Sequence, residues 1–372
     1  MERIFLASPH MSDEGYEQQF VKEAFDTNWI APLGENVNKF EEEIAKYAHA
    51  KNAAALISGT AAIHLAVKLA GVQQGDIVLC QDLTFAASAY PIMYEKGTLV
   101  FVDSEKDTWN MDPQALRKAL AKYPEAKAVI AVHLYGIAAK IDEIKAICDE
   151  YQVPLIEDAA ESLGTKYHDQ MTGTFGDYGI YSFNGNKIIT TSGGGMLISN
   201  DDEAIKKARY LSTQSRQPVL HYQHTEIGYN YRLSNISAGI GRGQMRVLED
   251  RVAKKRQIHE AYKEGFKDID DIKVLDEGED ERANFWLSAI QISPDSPVQP
   301  LTIHDALEKE NIETRPVWKP MSLQPLFKDY DYIGEGISHE LYEHGLCLPS
   351  DTKMTKEDIQ RTIQVIRSLW EK

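Results

Sequence analysis

Cysteine is scarce in this 372-residue chain: Cys80, Cys148 and Cys347 are scattered, with no Cys-x-x-Cys pair. That argues against a disulfide framework and a structural zinc site, and it reads as reduced thiols in the cytoplasm. Long apolar runs are missing too. No stretch of about 18 apolar residues occurs, so no membrane-spanning helix is expected. The opening segment MERIFLASPHMSDEGYEQQF has early acids and no extended apolar core, so it does not read as a secretory signal. Positive charge is in short supply: 40 Lys and Arg face 57 Asp and Glu, a net charge of −17. No basic stripe is visible, which argues against a nucleic-acid partner. An anionic ligand would have to be met locally, by helix N-termini and a few placed cations.

What is present is a chain long enough for about two domains, with 43% hydrophobic residues to fill their cores. From residue 53, apolar runs alternate with helical patterns. Strands are expected over 53–58, 76–81, 98–103, 126–136, 153–160, 178–183 and 193–199. Helices are expected over 60–71, 84–97, 112–123 and 140–152. Near-continuous apolar strands alternating with helices imply an α/β fold with a mostly parallel sheet covered on both faces. After about 245 the pattern becomes α+β, with helices over 251–267, 303–312 and 356–372 and a strand over 284–293. The expected division is a large α/β unit over 1–245 and a smaller α+β unit over 246–372.

Ligands of parallel α/β sheets bind beyond the carboxyl ends of the strands. Here those ends carry SGTAA (58–62), QDLTFAAS with Phe85, HLYG with His133, EDAAES with Asp158 and Glu161, and SFNGNK with Ser182 and Lys187. Each residue alone has an ordinary structural explanation; their order and spacing carry the argument. A lysine amine forms a Schiff base with an aldehyde. A buried carboxylate keeps a pyridine nitrogen protonated. An aromatic side chain stacks on the ring, and a helix N-terminus with small hydroxyl residues holds a phosphate. Together these specify pyridoxal 5′-phosphate. The segment GIGRGQ (239–244) mimics a dinucleotide fingerprint but follows no strand. It reads instead as the start of a long helix whose glycines allow close packing, with packing between subunits one option.

The order SGTAA, TFAAS, EDAAES, SFNGNK, GGGML and IGYNYRLSNISAGIG resembles the DegT/DnrJ/EryC1/StrS family of nucleotide-sugar aminotransferases. The resemblance extends to NWIAPLGENVNKFEEEIAKY (28–47) and TRPVWKPMSLQP (314–325). It implies fold type I of the pyridoxal-phosphate enzymes. It also implies Lys187 as the Schiff-base lysine and proton carrier, Asp158 as the partner of the pyridine nitrogen, and Phe85 as the stacking ring. Gly59, Thr60 and Ser182 then resemble the phosphate cradle, and Asn230 an asparagine reaching the phosphate of a neighbouring subunit in a homodimer. Glu161 falls near the cofactor's phenolic oxygen, where a charged carboxylate would repel, so a protonated or water-linked form is expected.

The resemblance further implies L-glutamate as donor and a nucleotide-linked keto sugar as acceptor. A UDP-4-keto-6-deoxy-N-acetylhexosamine is the expected sugar. Lysine at 187, where dehydratases of the family carry histidine, favours amino transfer. Arg315, Lys319 and Arg232 are the expected anion contacts, and Trp318 and Trp29 the expected sugar or base faces. Ser322 stands where the family often has histidine. Alternatives left open are another pyridoxal-phosphate chemistry, such as a desulfurase using Cys347, or a non-catalytic regulator.

Overall fold

Segments rich in Ala, Val, Ile and Leu form the strands expected of them in the computed structural model, which describes residues 2–371. The large sheet contains β1 (Asn52–Leu56), β2 (Ile77–Gln81), β3 (Thr98–Val102), β4 (Ala128–Val132), β5 (Leu155–Asp158), β6 (Tyr178–Ser182), β7 (Gly195–Ser199) and β8 (Asp331–Ile333). Their order is β1-β7-β6-β5-β4-β2-β3-β8. Pairs from β6 through β8 are parallel. Only β7 runs against its neighbours, β1 and β6.

Both faces of the sheet are covered, which is why the strands lack polar alternation. Val78 and Cys80 of β2 enter one apolar cluster, while Leu79 between them enters another on the opposite face. Helix α1 (Tyr16–Asp26) and helix α2 (Glu35–Ala48) precede the sheet, and helix α3 (Gly59–Leu69) follows β1 directly. Ser58 caps α3 by accepting a hydrogen bond from Ala61 N at 3.0 Å.

Two expected elements are broken. The helix expected over 84–97 is a 3-10 turn, Ala86–Ser88, and a short helix, Tyr90–Tyr94. Pro91 lacks an N–H and disfavours helical backbone before it, so the run cannot be continuous. The strand expected over 284–293 begins only at Ser288. Ahead of it, Phe285 adopts a left-handed φ of 47°.

Helix α4 (Asn235–Met245) contains the three glycines of GIGRGQ. They pack closely against helices of this chain. A Cβ on Gly243 would lie 2.4 Å from Glu17 N of α1, and one on Gly241 2.6 Å from Phe40 of α2. Helix α5 (Leu248–Phe266) then opens the C-terminal part. There Ile258, Tyr262 and Phe266 pack with Ile290, Ile363 and Ile366, over a four-stranded sheet of Ile272–Val274, Ser288–Ile292, Gly345–Leu348 and Arg315–Pro316. Three strand pairings of the described residues cross a division at 245: Ile4 bridges to Ile312, Glu281–Arg282 pairs with Lys166–Tyr167, and β8 returns to the edge of the large sheet beside β3. Among the described residues, no helix is long and apolar enough to cross a membrane.

Candidate active site

The carboxyl ends of β1, β2, β5 and β6 meet at one edge of the large sheet. The reversed strand β7 brings its beginning to the same edge, so the glycines before it approach the ends of its neighbours. This needs Gly195, where a Cβ would lie 2.3 Å from the Ser58 carbonyl carbon. A cavity of about 380 Å³ opens there, a volume suited to a small organic ligand. Gly59, Thr60, Phe85, Asp158, Glu161, Ser182, Lys187 and Trp318, all expected at the site, line it.

Lys187 follows a turn in which its backbone N–H bonds Asn184 O at 3.0 Å. Its Nζ donates to Glu161 Oε1 at 3.2 Å. Glu161 Oε2 accepts from Tyr135 N at 2.7 Å. Asp158 is 5% exposed, and its Oδ2 accepts from Ser88 Oγ at 2.6 Å while Oδ1 accepts from Ala160 N at 3.2 Å. Burial raises the pKa of both carboxyls above the usual range, Lys187 partly opposing it. Asp158 is hydrogen-bonded only by neutral donors, so a cation in the cavity would be its natural counter-charge.

The remaining wall fits pyridoxal phosphate as well. The N-terminus of α3 presents backbone N–H groups beside Ser182; Gly59 matters here because a Cβ would lie 3.2 Å from Ser182 Cβ. This is the arrangement that holds a phosphate. Phe85 lines the cavity yet is 60% exposed, leaving an aromatic surface free for a ring.

Other expected residues lie elsewhere. Asn230 is exposed and bridges to Thr213, outside the cavity. Arg315 pairs with Glu313 at 2.7 Å, and Lys319 and Trp29 are exposed away from it. Arg232 is spent on Glu41 and on Ala55 O, so it serves the fold. Among the lining residues, Lys187 is the one cation. His133 sits behind the site, fully buried, its Nε2 2.9 Å from Glu157. Ser322 Oγ bonds Asp82 and His339 Nε2, at 3.0 and 2.9 Å. Cys347 lies buried in a strand with its thiol pushed up to about 12, which removes it as a mobile desulfurase nucleophile.

Two residues escaped the sequence reading. Ser88 was hidden inside an expected helix. Trp286, in NFWLSAI, looked like the start of a strand; its ring lies 3.9 Å from Lys187 Nζ. Ser88 closes the quoted segment TFAAS without having been given a role there, and no motif marks Trp286.

A sheet edge that offers an amine, a buried carboxylate and an anion-binding helix N-terminus in one cavity defines a pyridoxal-phosphate-dependent transferase of fold type I. The model of the DegT/DnrJ/EryC1/StrS aminotransferase family matches residues 12–367, and the chain belongs to that family. It is a sugar aminotransferase with pyridoxal 5′-phosphate as cofactor. Among similar proteins is a putative pyridoxal phosphate-dependent aminotransferase, EpsN, of Bacillus subtilis (strain 168). It is 52% identical over 99% of this chain and 96% of its own. A GDP-perosamine synthase of Escherichia coli O157:H7 is 34% identical over 93% of both chains. The crystal structure of a DegT DnrJ EryC1 StrS aminotransferase from Brucella abortus superposes with a TM-score of 0.89, at 28% identity and 96% coverage of each chain.

Proposed function

We propose that the enzyme moves an amino group from L-glutamate to a UDP-4-keto-6-deoxy-N-acetylhexosamine, giving the 4-amino sugar for polysaccharide or glycan synthesis in the cytoplasm. The observation that carries this reading is the placing of Lys187 and the buried Asp158 on one cavity. When bound, pyridoxal phosphate supplies an aldehyde that carries the nitrogen and a ring that withdraws electrons. Asp158 holds the ring nitrogen protonated, and Phe85 covers the ring. The N–H groups at Gly59 and Thr60, with the hydroxyls of Thr60 and Ser182, bind the phosphate. Lys187 Nζ would take the proton from the donor's α-carbon and hand it back two bonds away, on the far side of the transferred nitrogen, and would do the reverse with the sugar. Glu161 keeps that amine in reach.

The acceptor's diphosphate finds no cation on the cavity wall other than Lys187. Arg315, Lys319, Asn230 and Trp29 are outside it in a single chain. We therefore assign them to a homodimer, in which a second copy completes each site. The large part, 1–245, then carries the cofactor, and the part from 246 supplies Trp286 and Trp318 to its wall. A GDP-linked keto sugar is the competing acceptor, because one relative is a GDP-perosamine synthase.

An absorbance titration tests the reading. Pyridoxal phosphate is added to the purified protein, then L-glutamate, then the UDP- or GDP-linked 4-keto sugar. The visible cofactor band should bleach with glutamate and return with the UDP sugar. Recovery with the GDP sugar alone would replace the acceptor, and failure to bleach would remove glutamate as donor.

A further inference from the structure

Lys187 has a neighbour that nitrogen transfer does not by itself require. Its Nζ lies 3.9 Å from the centre of the Trp286 ring as well as 3.2 Å from Glu161 Oε1. The amine is held between a π face and a carboxylate. Trp286 is 2% exposed, so water does little to weaken the attraction between a cation and that face.

The ring is placed by a costly piece of backbone. Phe285, just before it, has a φ of 47°, a left-handed conformation that is strained for a bulky side chain. Three hydrogen bonds hold Trp286 beyond it. Its N–H donates to Asn284 Oδ1 at 2.8 Å, its carbonyl accepts from Lys255 Nζ at 2.7 Å, and its indole N–H donates to Asn186 O at 2.7 Å. Asn186 directly precedes Lys187, so the indole also pins the lysine's own loop. Asn284 Nδ2 donates to the carbonyls of Glu161 and Leu163, both at 2.9 Å. One asparagine therefore fixes the spacing between the ring and the carboxylate.

We propose that Trp286 is a positioning residue which, with Glu161, holds the Lys187 side chain as an ammonium in the interval after it has taken up the donor's proton and before it delivers it. The inference rests on the role proposed above for Lys187. Once it has taken the donor's proton, the lysine must keep it until delivery and must not swing away from the reacting carbon. The ring face attracts the charged amine and not the neutral one. It thus favours the proton-carrying form and lets go once the proton has left. Glu161 supplies direction, and Trp286 supplies a flat surface on which the amine can reorient.

Other charged groups face the same lysine. Asp158 lies across the cavity. Lys255, Asp351 and His10 stand behind it, around a small cleft shared with Asn186 and Lys187. Burial pushes Lys255 down to about 7 and also lowers His10. Any change of pH therefore moves several charges at once, and the ring has to be altered while all of them stay.

Fluorinated tryptophans, installed at position 286 alone by stop-codon suppression, do this. They drain the negative face while keeping the ring's outline and its N–H. In cofactor-free protein, trace acetylation of Lys187 is followed across pH by peptide mass spectrometry. The midpoint of labelling should fall stepwise with fluorine number, by about one pH unit in total. Trp286→Phe should lower both the midpoint and kcat while leaving KM for glutamate unchanged. An unmoved midpoint across the fluorinated series would reduce Trp286 to packing. Failure of the underlying reading looks different: a Lys187→Arg enzyme that still exchanges its amino group with glutamate would remove the lysine's role whatever the series showed.

Discussion

On the sheet side of the cavity, Asp158 and Glu161 are both 5% exposed and each accepts two hydrogen bonds. On the outer side, Phe85 is 60% exposed, and beyond the cavity Arg315, Lys319 and Asn230 open to solvent. The inner wall is finished by one chain and can hold its groups in place before any ligand arrives. We propose that a second copy completes the outer rim, that the chemistry belongs to the first wall and that the choice of sugar belongs to the second.

The sharpest way to break this contrast is at Lys187. Lys187→Ala should lower turnover by at least about 10³-fold, read in single-turnover reactions with either substrate. Asp158→Asn should cost about 10²-fold in kcat, again for both half-reactions, because it acts on chemistry they share. Mixing inactive proteins separates wall from rim. Lys187→Ala combined with Asn230→Asp should regain up to about a quarter of wild-type activity if Asn230 serves the neighbouring site. Lys187→Ala combined with Asp158→Asn should regain nothing, since both residues serve one chain's own cavity. A mixture of the first pair that stays dead would assign Asn230 to its own chain's site, and an Asn230→Asp protein that is active by itself would place it outside any site.

The rim predicts smaller and more selective effects. Arg315→Ala should raise KM for the keto sugar about 10-fold, the loss of one charge-assisted contact, and leave the glutamate half-reaction untouched. Equal loss in both halves would move Arg315 from sugar binding to structure. The smallest effect is on stability. Burial raises Asp158 above its ordinary range, so the native protein holds that proton more tightly than the unfolded chain. The stabilisation is full below the unfolded carboxyl's pKa and is lost as pH rises through the raised one. In cofactor-free protein, Asp158→Asn should therefore raise Tm at neutral pH, with the gain shrinking toward pH ~4.

The two walls also differ in how legible they were. The inner wall could be read because each group sits at the end of an apolar strand, where a local pattern fixes both the element and its terminus. Asp158 closes β5 and Ser182 closes β6. Ser88 was lost because Pro91 broke a helix that composition favoured. Trp286 was lost for a different reason. Its position depends on Asn284, Lys255 and Asn186, which are 2, 31 and 100 residues away in the chain, and no local window contains them. The antiparallel course of β7 was equally hidden, since an apolar strand reads the same in either direction. Arg232 misled because an arginine beside a motif gives no hint that Glu41, far upstream, has already taken it.

Strand β8 gives the molecule a mechanical character. Residues 331–333 are stitched to β3 at the edge of the large sheet, and Ile4 is stitched to Ile312. A lobe joined only near 245 could swing like a door on one hinge. This one is fastened like a drumhead, at several points around its rim. Trp286 and Trp318 therefore line the cavity from a part of the chain that is strapped to the large sheet at more than one place.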